Sequence, residues 1–118
     1  MPVIAPCICV ETDDQFKTSI EKIVPFAERV HIDISDGEFA PVFLVDVERI
    51  YWAQNWVADI HAMVARPSEY VQKLIALKPN LIIFHVEVQE DLMPNIQLVQ
   101  QAGKKAGIAL QSSTVSVN

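Results

Sequence analysis

Residues 30–37 read VHIDISDG. Five residues alternate, Val30-His31-Ile32-Asp33-Ile34, and then a Ser-Asp-Gly turn breaks the run. Strict alternation is the signature of a strand, and residues two apart share one face. One face of this strand is therefore wholly aliphatic (Val30, Ile32, Ile34). The other carries an imidazole and a carboxylate side by side, His31 and Asp33. An aliphatic face calls for a covering helix. A face of paired ionisable groups must bind something or be satisfied internally, because burying such groups bare is costly.

The same arrangement recurs outward from this strand. An apolar run at 3–10, VIAPCICV, reads as the first strand. The next segment opens with acidic and N-cap-type residues and sets Phe16, Ile20, Ile23 and Val24 at helical spacing. Residues 45–55, VDVERIYWAQN, suggest a short helix, and 56–64, WVADIHAMV, a third strand. A helix over 66–78 follows, with Pro67 near its start and an apolar stripe of Tyr70, Val71, Leu74, Ile75 and Leu77. Residues 80–88, NLIIFHVEV, read as a fourth strand, 89–105 as a further helix, and 106–111, AGIALQ, as a fifth strand. SSTVSVN is a polar tail.

Strands recur about every 25 residues, the period of a βα unit. An eightfold barrel takes roughly 250 residues, and this chain has 118. The expected fold is α/β, a parallel sheet forming half of a (β/α)8 TIM-type barrel, with about four βα units plus a fifth strand in a single domain over 1–118. The competing architecture is a small doubly wound, flavodoxin-like sheet. Only three glycines are present, and no Gly-rich nucleotide-binding loop is among them.

Composition narrows the partners. The net charge of −6 and pI near 4.9 argue against nucleic acid or an anionic membrane surface. No run of apolar residues is long enough for a membrane span, and the N-terminus does not read as a signal peptide, so a cytoplasmic protein is expected. Cys7 and Cys9, two apart on one strand, are too close for a disulfide and read as buried thiols.

On the third strand Val57, Asp59, His61 and Met63 share a face, and on the fourth Leu81, Ile83, His85 and Glu87 do. All three histidines thus stand late in successive strands, the end at which barrels place their chemistry. His31, Asp33 and His61 make an N,O,N set for a divalent metal with open positions. A polar core layer satisfied by its own hydrogen bonds would explain the same pattern.

The segments resemble a known family. VHIDISDGEFAP is similar to the second-strand signature of ribulose-phosphate 3-epimerases, H-x-D-x-M-D-G-x-F-V-P-N. VADIHAMVARPSEYV resembles the family's V-D-V-H-L-M-V-x-x-P-x-x-Y, LIIFHVEV its I-x-F-H-x-E, and KKAGIAL its K-x-G-x-A-L. The resemblance implies a metal-dependent isomerase interconverting D-ribulose 5-phosphate and D-xylulose 5-phosphate. Two aspartates on opposite faces of the sugar would exchange the C3 proton, and a divalent metal (Zn, Fe(II), Mn or Co) would stabilise the enediolate oxygens. It implies His31, Asp33 and His61 as metal ligands, with Asp33 also the catalytic acid/base. Cys7, Met63 and His85 would line the substrate, with Glu87 on the same wall and Asp36 shared between turn and substrate.

The chain also departs from the pattern. Cys7 stands where the family has a serine, Ser35 replaces the methionine before Asp-Gly, and Val42 replaces an asparagine. Gln111, Ser112 and Ser113 replace an Asn-Pro-Gly turn, and the family's later strands, with the second aspartate and the phosphate loops, have no counterpart. A single chain is therefore expected to be a weak epimerase or inactive. The alternative is a non-catalytic half-barrel that binds or assembles. A homodimer is expected, although a two-fold pair would put its second Asp33 on the sixth strand position, where the family has its second aspartate on the seventh.

Overall fold

The computed structural model describes residues 5–110. The Gln111–Ser113 departure and the polar tail lie outside the described residues. Five parallel strands form one sheet in the order β1-β2-β3-β4-β5. They are β1 (Cys7–Ile8), β2 (Arg29–Ser35), β3 (Val57–Met63), β4 (Leu81–His85) and β5 (Lys105–Ala109). Helices α1 (Asp13–Ile23), α2 (Val71–Ala76) and α3 (Met93–Gln101) alternate with them. Each strand lies beside its chain predecessor. A doubly wound sheet reverses direction partway, so the sequential order excludes that alternative and is the order of a partial TIM barrel.

Sequential parallel strands joined by right-handed crossovers carry their helices on one face. That face holds the core. Val30, Ile32 and Ile34 of β2, Ala58, Ile60 and Ala62 of β3, and Ile82 and Phe84 of β4 are buried there. They share one cluster with Phe16, Ile20 and Ile23 of α1, Val71 and Leu74 of α2, and Val99 of α3. Helix α1 starts where local chemistry places it. Thr12 accepts from the Gln15 N–H at 3.1 Å, and Gln15 Oε1 accepts from the Thr12 N–H at 3.2 Å, a capping box.

Two expectations are corrected. Residues 45–55 form no helix, only turns at 47–49 and 54–55. Val45, Val47 and Ile50 are buried, a spacing that is not helical, and the Val45 N–H is held by the Val10 carbonyl at 2.9 Å. Tertiary pairing with the segment after β1 keeps this chain extended against its local propensity. The Cys7 and Cys9 thiols are exposed rather than buried. Among the described residues β1 is a sheet edge paired only to β2, with Cys7 in it and Cys9 just beyond it.

Candidate active site

The face opposite the helices collects the polar residues. At its N-terminal end Asp59 is taken up structurally. Arg29 donates to its Oδ2 at 2.8 and 3.1 Å, and Asn80 to its Oδ1 at 3.1 Å.

Further along lies the candidate site. The β2–β3 register puts Asp33 beside His61, and the β1–β2 register puts Cys7 beside His31. Asp33 Oδ1 is 3.0 Å from His31 Nε2 and 3.3 Å from His61 Nδ1. Two ligands ~2.1 Å from a tetrahedral centre stand about 3.4 Å apart, and each of the two N–O distances is close to that; among the described residues the groups whose ligand atoms all lie within 4.8 Å of one another are Cys7, His31 and Asp33, with His61 beside Asp33 but outside that group. Imidazole and carboxylate donors suit Zn, Fe(II), Mn or Co, and the residues present fit a divalent cation.

The chain of contacts continues through His61. Its Nε2 is 2.6 Å from His85 Nε2, and His85 Nδ1 is 3.4 Å from Glu87 Oε1. A single proton must lie between the two facing nitrogens. When His61 Nδ1–H donates to Asp33, His85 Nε2–H donates to His61 and the His85 Nδ1 lone pair faces Glu87. When His61 gives up its Nδ1 to another partner, the order reverses and His85 Nδ1–H donates to the Glu87 carboxylate. Burial, then the His61 charge, lowers the His85 pKa against the opposing pull of Glu87 and favours the neutral ring. Phe39 packs over His85 at 4.8 Å between ring centroids.

Burial pushes the Asp33 carboxyl upward. The His61 hydrogen bond and charge, the His31 charge and the Cys9 thiol outweigh it, so the pKa lies below its ordinary value. The Cys7 and Cys9 thiols, though exposed, are pushed up, first by partial desolvation against the sheet and then by the Asp33 charge. Met63 follows His61 on the same face, beside Ser35. Ser35 spends its hydroxyl on the Val42 carbonyl at 2.6 Å and so anchors the loop beyond β2.

Asp36 is a turn residue. Its Oδ1 accepts from the N–H of Glu38 at 2.9 Å and of Phe39 at 3.1 Å, and its Oδ2 from the N–H of Ala65 at 2.9 Å. The structure therefore brings together Cys7, His31, Asp33, His61 and His85, with Met63 adjoining. Sequence reasoning missed Phe39 and the Cys9 contact. Both lie beyond the strand ends, where alternation no longer says which way a side chain points.

The sequence matches a profile described as the ribulose-phosphate 3 epimerase family over residues 3–118. The ribulose-phosphate 3-epimerase of Chlamydia trachomatis is 31% identical over 91 residues, 75% of this chain and 39% of that protein. That of Bacillus subtilis is 30% identical over 91 residues, covering 75% and 42%. The protein of Oryza sativa named as the cytoplasmic isoform is 32% identical over 92 residues, covering 75% and 40%. The chain spans about two-fifths of the length of these curated relatives.

Proposed function

The chain belongs to the ribulose-phosphate 3-epimerase family, and from that premise we propose that it moves a proton at C3 of a pentulose 5-phosphate, between D-ribulose 5-phosphate and D-xylulose 5-phosphate. One observation carries this reading: Asp33 Oδ1 lies between His31 Nε2 and His61 Nδ1 at 3.0 and 3.3 Å. His31, Asp33 and His61 would hold a divalent metal. Asp33 would take the C3 proton through its second oxygen; return of a proton to the same face exchanges the C3 hydrogen without inverting the carbon. Met63, His85 and Cys7 form the wall around the sugar.

A carboxylate held below its ordinary pKa is a weak base. When bound, the cation supplies Lewis-acid stabilisation of the negative charge left as the proton departs, which lets so weak a base act. The residues of the chain do the rest. His61 is oriented by His85, Asp33 is oriented by both neighbouring imidazoles, and Phe39 packs against the His85 ring.

The chain spans two-fifths of its relatives, so the proposal is confined to the half-reaction its own residues carry. The second reading, a non-catalytic subunit that binds or assembles, draws on the edge strand β5, where Ile108 is 56% exposed. We place the protein in the cytoplasm, where the name of the rice relative puts that protein. Among the described residues no helix is long and apolar enough to cross a membrane.

The test is C3 proton exchange of ribulose 5-phosphate in D₂O, followed by NMR with and without Zn²⁺, Fe²⁺, Mn²⁺ or Co²⁺. Metal-dependent exchange is expected, falling ~100-fold or more in Asp33→Asn. No exchange with any metal overturns the enzymatic reading and favours the subunit.

A further inference from the structure

The proposed reaction places Cys7 in the wall around the sugar but makes no use of its thiol. Cys7 stands beside His31 in the β1–β2 register. Its Sγ, a His31 ring nitrogen and an Asp33 carboxylate oxygen all lie within 4.8 Å of one another. That reach is about 1 Å longer than the ~3.6 Å between sulfur and nitrogen around a tetrahedral cation. The thiol is exposed at the sheet edge, so a rotation about its Cα–Cβ bond can close the difference.

We propose that Cys7 ligates the cation directly through sulfur, in an N,O,S set with His31 and Asp33. The proposal rests on the metal reading above and goes beyond it. Binding forms a metal–sulfur bond and breaks the S–H bond. The proton leaves to solvent and no electron is transferred. A thiolate in the set turns the site toward Zn²⁺ and Co²⁺ and away from Mn²⁺ and Mg²⁺, which prefer oxygen. Cys9, two residues on, is not one of the three groups in mutual reach.

The test is to titrate the reduced 118-residue chain with Co²⁺ and record visible and near-ultraviolet absorption. Visible d–d bands report metal binding, and a near-ultraviolet thiolate-to-cobalt charge-transfer band reports sulfur ligation. Both are expected in the parent. Cys7→Ser should lose the charge-transfer band, keep d–d bands and bind Co²⁺ roughly 10-fold more weakly or worse. Cys9→Ser should keep both bands, and far-UV circular dichroism checks that each variant is folded. Visible bands with no charge transfer in the parent overturn the sulfur ligand while leaving the metal reading standing. A charge-transfer band lost in Cys9→Ser and kept in Cys7→Ser overturns the assignment to Cys7. The absence of d–d bands in the parent overturns the metal reading and this proposal together.

Discussion

Two aspartates three residues apart, Asp33 and Asp36, divide the work at the end of β2. Asp33 faces two imidazoles, whereas Asp36 accepts three backbone N–H bonds and ties the turn to Ala65, 29 residues on. Burial pushes the Asp36 carboxyl up, but the Ala65, Phe39 and Glu38 donors outweigh it and its pKa lies below the ordinary value. A depressed folded-state pKa makes a contribution that is fully present above the unfolded value, about 3.9, and is lost as pH falls through the folded value. Asp36→Asn should therefore cost about 1–2 kcal/mol near neutral pH, discounted because the group is largely solvated, and much less in acid. Denaturant melts at neutral pH and in strong acid check this, and a loss of equal size at both would count against it. The pairing of His31 with Asp33 is legible from alternation alone. The role of Asp36 is not, because its decisive donor comes from a distant loop.

At the scale of elements, β4 contributes through His85, its last residue, and Glu87 just beyond. A histidine bound to metal through one nitrogen is commonly oriented by a hydrogen bond at the other, and loss of that outer partner typically costs 10–100-fold in affinity. Here the partner of His61 is itself a histidine, backed by Glu87 at 3.4 Å. Glu87→Gln is expected to weaken Zn²⁺ binding at the lower end of that range, about 10-fold, and His85→Ala toward the upper end. Competition against a chromophoric chelator measures this, and unchanged affinity in both variants would remove the chain from the account. Helix α1 is readable because its capping box and apolar spacing are local. The segment 45–55 is not, because the backbone partner that keeps it extended, the Val10 carbonyl, belongs to the end of another element.

At the scale of the whole molecule, the sheet has two edges, β1 and β5. Helices cover the aliphatic face of β2 to β4. On β5 the residue in that row is Ile108, beside buried Phe84 yet 56% exposed, with Leu110 at 54%. Exposed apolar residues on an open strand edge favour pairing with another chain. The 118-residue chain should sediment at twice 13.2 kDa, and Ile108→Lys should shift it toward monomer. A parent that stays monomeric at high concentration would rule out the dimer.

The sequence by itself determined the βα rhythm, the aliphatic and ionisable faces of each strand, and the family. These follow from periodicities two and 3.6 residues long and from motifs contiguous in the chain. Only the tertiary structure decided the strand order, the extended path of residues 45–55, the exposure of Cys7 and Cys9, and the line from His31 through Asp33, His61 and His85 to Glu87. The physical reason is register. Alternation says which residues share a face, but hydrogen bonding between strands sets which row of one strand stands beside which row of the next. Within those rows, the side-chain directions beyond the strand ends set which atoms meet.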